Sequence, residues 1–71
     1  MKANVRIEEL HLTLTYEVPD DVEVGDRVLV PPMSYMSQEA DPFEGTVTEI
    51  EGDPGARFYR GPCRSAWKRD A

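Results

Sequence analysis

The strongest constraint on how this chain folds is a nine-residue alternation that begins at Leu10. Leu10, Leu12, Leu14, Tyr16 and Val18 fall on one register, His11, Thr13, Thr15 and Glu17 on the other, and Pro19-Asp20-Asp21 ends the run. Successive strand residues point to opposite faces, so a period of two describes a β-strand with one apolar and one polar face. The apolar face must be covered by another element, and no segment of helical period is long enough to do it. Further strands are therefore required.

The chain supplies them on both sides. Upstream, Val5 and Ile7 sit on the odd register, so the pattern slips by one at Glu8-Glu9, and a bulge or bend there restores a common inward face. Downstream, Val24-Gly25-Asp26-Arg27-Val28-Leu29-Val30-Pro31-Pro32 reads as a turn that launches a strand and then stops it. Gly25 supplies the backbone freedom a tight turn needs, and the Asp26 carboxylate can bond its own downstream backbone. Val28 and Val30 share one face, and the two prolines cannot donate ladder hydrogen bonds. Residues 33–44 have no clear period. Gly45-Thr46-Val47-Thr48-Glu49-Ile50 resumes as a β-branched strand, Glu51-Gly52-Asp53-Pro54-Gly55 is dense in turn residues, and Ala56–Arg60 reads as the second arm of a hairpin. Gly61-Pro62 breaks that arm, leaving Arg64–Arg69 for a short irregular or helical turn. The expectation is an all-β fold, a small SH3-like antiparallel barrel or rolled sheet of four to five strands, in one domain over residues 1–71.

Size limits what such a fold can do. A domain of 71 residues buries only roughly 60% of the surface its unfolded chain exposes, so its core is small and association with a partner or with itself would help to stabilise it. With one Cys63 and one His11 there is no internal disulfide and no metal set built from these two residues alone. The charged N-terminal residues lack the apolar core of a signal peptide, and no run approaches the ~20 apolar residues of a membrane span, so the expected setting is cytoplasmic.

Chemistry is hard to place. His11 lies among threonines on the polar face of its strand, where an ordinary surface histidine is expected. Glu8-Glu9 and Asp20-Asp21 are adjacent pairs, which point to opposite faces of a strand and do not converge on one atom. The acidic turns lack the order of a calcium loop, no glycine-rich phosphate loop precedes a helix, and Cys63 is expected to close the barrel as a small apolar side chain. No enzyme, cofactor or metal is expected from these residues.

Two surfaces stand out instead. Met33, Tyr35, Met36 and Phe43 place apolar side chains in or beside an irregular loop, where they either cover the end of the barrel or offer an adaptable contact patch. Phe43, bordering the next strand, is expected to cover the core. The second surface follows from charge. Residues 1–53 carry three cations against thirteen acids, a net of −10, whereas the C-terminal segment from residue 54 carries five cations against one acid, a net of +4. Within that basic segment, 56–71, Arg57, Tyr59, Arg60, Arg64, Trp67, Lys68 and Arg69 interleave cations with aromatics, a composition that suits single-stranded nucleic acid. The same residues also suit a tail that folds back on its own acidic body.

The order of pieces from Leu14 to Ile50 resembles the N-terminal DNA-binding domain of the primosomal replication-restart helicase. Tyr16-Glu17-Val18-Pro19, Gly25-Asp26-Arg27-Val28-Leu29-Val30-Pro31 and Gly45-Thr46-Val47 match its Tyr-x-x-Pro turn, its Gly-Asp-Arg-Val-x-Val-Pro strand and its Gly-x-Val strand. Gly-Asp-x-Val-x-Val is also shared by other SH3-like barrels, KOW-type modules included. The resemblance implies a small barrel. It does not imply that family's pocket for a DNA strand end, because Leu14-Thr15 stand where the family has an aromatic and an acid.

The functional expectation is a non-catalytic protein-protein interaction module or small accessory regulator, of the size phage-type regulators have. It binds another protein, or a second copy of itself, through Met33, Tyr35, Met36 and Phe43. The alternatives are a nucleic-acid-binding module using the basic C-terminal cluster, or an acidic mimic of nucleic acid that blocks a basic groove.

Overall fold

The computed structural model describes residues 1–32, 41–52, 55 and 57–69. Met33, Tyr35 and Met36 lie outside the described residues. The described chain is all-β, with β1 over Lys2–Ile7, β2 over Leu12–Glu17, β3 over Arg27–Val30, β4 over Phe43–Ile50 and β5 over Trp67–Lys68. These five strands form one antiparallel sheet in the order β2-β1-β4-β3-β5. The sheet rolls until its outer edges meet: Glu17 at the end of β2 makes a parallel bridge to Ser65, just before β5.

The register slip at Glu8-Glu9 is a full chain reversal rather than a bulge in one continuing strand. Glu8–Leu10 makes a 3-10 turn, His11 takes the left-handed conformation at φ 53°, and its N–H bonds the Glu8 carbonyl at 3.1 Å. His11 thus sits exposed in a turn, not on the strand face where the alternation put it. Leu10 leaves the strand too and packs half-buried against the core. From Leu12 onward the alternation holds. Leu12, Leu14 and Tyr16 lie opposite Ile7, Val5 and Ala3, which are fully buried, so the even register of β2 faces the core.

The Gly25-Asp26 turn works as a clasp on β4. Gly25, at φ 96°, donates to the Val47 carbonyl at 2.8 Å, and Val47 donates back to the Asp26 carbonyl at 2.9 Å. The Asp26 carboxylate bonds upstream, to the Glu23 N–H at 3.0 Å, not downstream as its position suggests. Val28 and Val30 then point into the core, and pairing with β4 ends at Val30. β4 starts two residues earlier than its β-branched run, since Phe43 already pairs with Val30 and packs half-buried against the core. Gly45 stands where a Cβ would collide with the Val5 side chain, so glycine lets β4 approach β1 there.

The expected hairpin arm at Ala56–Arg60 is absent: residues 57–60 form no strand. The reason lies in the sheet order. β4 already has β1 on one side and β3 on the other, so no edge remains for a following arm to pair with. Instead Lys2 Nζ donates to the Tyr59 and Gly61 carbonyls, both at 3.0 Å, and Asn4 Nδ2 donates to the Arg57 carbonyl at 3.2 Å, which straps residues 57–61 beside β1. The end of the chain then provides a strand where an irregular or helical turn was expected, with Trp67 and Lys68 pairing with Leu29 and Val28.

Among the described residues, the core is made of Ala3, Val5, Ile7, Tyr16, Val18, Val22, Val28, Val30, Val47 and Ala66. It is small in both number and side-chain size. Among the described residues, no helix is long and apolar enough to cross a membrane.

Candidate interaction surface

The C-terminal cluster that looks continuous in sequence is divided by the fold. Lys68 and Arg69 are spent on the acidic body: Lys68 Nζ lies 3.5 Å from Asp21 and 3.7 Å from Asp26, and Arg69 pairs with Glu44 at 2.8 Å. Arg27 reaches the other oxygen of the same carboxylate. Hydrogen bonding from Arg27, together with the charge of Arg69, holds the Glu44 carboxyl below its ordinary range. This half of the tail folds onto its own body.

The other half does not. Arg57, Arg60 and Arg64 are exposed, and among the described residues no carboxylate pairs with any of them; Arg64 donates to the Pro32 carbonyl. They lie around Tyr59, whose side chain is 60% exposed and turns back over Gly61, a position where a Cβ would collide with the ring. Two depressions meet at Tyr59. One, of about 770 Å³, is lined by Lys2, Glu51, Arg57, Phe58, Tyr59 and Arg60. The other, of about 410 Å³, runs between Thr13, Leu14, Thr15 and Tyr16 of β2 on one side and Tyr59, Pro62, Cys63 and Arg64 on the other.

Trp67 is 45% exposed on β5 but lines neither depression. Phe43 packs against the core, in keeping with its position beside a strand, and lines neither depression. Cys63 is half-buried, with Sγ 3.5 Å from the Gly61 carbonyl, and it borders the second depression. Burial raises the Tyr16 phenol above its ordinary value, against the opposing charge of Arg64, so the ring meets the groove as a neutral hydroxyl. Among the described residues, no group of three or more His, Cys, Asp or Glu is placed to hold a metal ion.

The sequence missed Lys2, Leu14, Tyr16 and Pro62 as parts of this surface. Leu14 and Tyr16 carry the strongest strand signal in the chain, and that signal predicts burial rather than contact. Only Pro62, which has no N–H to pair with a neighbouring strand, hinted that the chain leaves the sheet here.

No protein-family model matches this chain, and no curated protein or solved structure matches it either.

Proposed function

We propose that this chain is a non-catalytic protein-interaction module, an SH3-like barrel acting in the cytoplasm, that binds through the face centred on Tyr59. One observation carries the reading. On a body that pairs Lys68 and Arg69 with its own acids, Arg57, Arg60 and Arg64 have no carboxylate partner among the described residues and lie around an exposed aromatic and an apolar groove. Cations without carboxylate partners beside an exposed aromatic are the ingredients of a contact site, because arginine and tyrosine are enriched where proteins meet. Met33, Tyr35 and Met36 belong to the proposal as a second patch.

The test is affinity capture from native extract with the parent chain, with Arg57→Glu/Arg60→Glu, and with Tyr35→Ala/Met36→Ala. The expected result is a protein retained after nuclease treatment and lost with the arginine pair. Capture that survives Arg57→Glu/Arg60→Glu overturns the Tyr59 face, and loss with Tyr35→Ala/Met36→Ala alone transfers the function to the loop.

The exposed Tyr59 ring among three arginines also favours a second reading, single-stranded nucleic-acid binding, in which bases stack on the ring and phosphates meet the cations. Against it stand the commitment of Lys68 and Arg69 to carboxylates, the position of Trp67 outside both depressions and the burial of Tyr16, which leave Tyr59 and Phe58 as the rings open to stacking there. Retardation of an oligothymidylate at low salt, weakening steeply as salt rises, is its signature. Absence of retardation removes it.

A further inference from the structure

We infer that the groove beside Tyr59 is a strand-addition site, which takes an extended, acid-flanked peptide of a partner protein onto the open edge of β2. This deepens the protein-interaction reading and rests on it. Among the described residues, the sheet closes at one point along this edge. Glu17 turns its backbone away from β1, its N–H donating to the Arg64 carbonyl at 3.0 Å and its carbonyl accepting from Ala66 at 2.8 Å. Val18 turns the other way, donating to the Met1 carbonyl at 2.8 Å. In an antiparallel pair this orientation alternates, so Thr15 and Thr13 share the outward direction of Glu17. Among the described residues, neither finds a backbone partner on that side. Their N–H and C=O groups face the groove, because the chain that pairs at Ser65 has left β2 by Pro62.

Side chains repeat the pattern. Leu14 lies opposite fully buried Val5 on the core face, yet it is 38% exposed. Its neighbours on that face are covered: Tyr16 is buried and Leu12 packs against the core. The sheet therefore stops one strand short of covering its own interior at Leu14. An added strand would pair with Thr13 and Thr15 and lay an apolar side chain over Leu14. Arg64 on the groove and Arg57 and Arg60 beside it would meet carboxylates at the ends of that strand. Unpaired edge backbone is the template for such addition, and its main-chain hydrogen bonds tolerate many sequences. A second copy fits less well. A free edge of about three residues offers far less contact than the roughly 1,000 Å² of interface that a stable protein dimer buries.

The probes are two synthetic peptides of alternating valine and threonine, one flanked by glutamates and one by lysines, with an oligothymidylate as a third. Amide hydrogen exchange and chemical shifts are followed on the parent chain and on Thr13→Pro. That substitution removes an outward N–H and leaves the β1 ladder intact, so its thermal midpoint is expected to match the parent's. The glutamate-flanked peptide is expected to slow exchange at Thr13 and Thr15 and to bind Thr13→Pro about tenfold more weakly. The exchange data on the parent chain decide the matter even if Thr13→Pro fails to fold. If that peptide binds and shifts Tyr59 and Arg60 while exchange at Thr13 and Thr15 is unchanged, strand addition is wrong and the Tyr59 face survives. Equal binding of the lysine-flanked peptide removes the acidic occupant. No binding by either peptide, protection by oligothymidylate alone, or protection without any probe in a chain that light scattering finds dimeric, each overturns the inference.

Discussion

Two single residues hold the sheet in shape by opposite means, one through having no side chain and one through its charge. Gly45 has no Cβ to strike Val5, so adding one methyl forces β4 away from β1. Overpacking of this kind costs about 1–3 kcal/mol. Gly45→Ala is expected to lower the thermal midpoint by roughly 4–8 °C for each kcal/mol lost. Trimming the obstacle in Gly45→Ala/Val5→Ala should cost less than the sum of the two single changes, and an additive double mutant would show that the collision is not the cause. Glu44 acts through its two arginines, bridging β3 and the tail beyond β5. Its native pKa is lowered from an ordinary 4.5, chiefly by the hydrogen bond from Arg27. A lowered native pKa gives stability that is present above the unfolded value and is lost as pH falls through the native one. Glu44→Gln should therefore unfold at lower urea than the parent at neutral pH, and the gap between the two midpoints should close on acidification below 4.5. A gap that persists in acid would count against the ion pairs as its source.

At the scale of elements, closure of the roll depends on the short stretch Ser65–Lys68. Ala66 is both a buried core residue and the donor to the Glu17 carbonyl at 2.8 Å. Ala66→Pro removes that donor and leaves a carbonyl unsatisfied, which costs about 1–3 kcal/mol. Thr13→Pro, on the same edge but with its N–H directed outward, should cost far less. Comparable denaturation midpoints for the two variants would contradict the closure described above. This stretch is also where the sequence was least informative. β2 and β3 were legible because their alternation and the Gly25-Asp26 turn are local signals, and Val28 and Val30 face the core as that pattern requires. The β5 strand was not, because two residues, Trp67 and Lys68, carry no period, and their pairing depends on an edge of β3 that only the whole sheet reveals. The false hairpin arm at Ala56–Arg60 failed for the related reason that sequence neighbours of β4 cannot tell that both its edges are taken. Of the candidate surface, Arg57, Tyr59, Arg60 and Arg64 were legible from charge and aromatic spacing. Leu14 was not, since its exposure arises at a sheet edge that no described strand covers.

At the scale of the whole molecule, the largest fully buried side chains among the described residues are Ile7 and four valines. Native domains are stable by only about 5–15 kcal/mol, and a chain with so little apolar volume belongs near the bottom of that range. Ile7→Ala, which removes the largest of these side chains, costs about 2–5 kcal/mol and is expected to leave a substantial unfolded fraction at 37 °C. Circular dichroism melts measure this directly. A ligand that binds only the native state restores about 2.7 kcal/mol at a concentration one hundred times its dissociation constant. The glutamate-flanked peptide should therefore refold Ile7→Ala in a concentration-dependent way. It should do so less well when Thr13→Pro is added, because the edge that receives it is then blocked. Ile7 lies opposite Leu12 on β1, away from the outward backbone of Thr13 and Thr15, so the core change leaves the proposed docking edge intact. Rescue that is equal with and without Thr13→Pro would mean that the peptide stabilises the roll from a different surface.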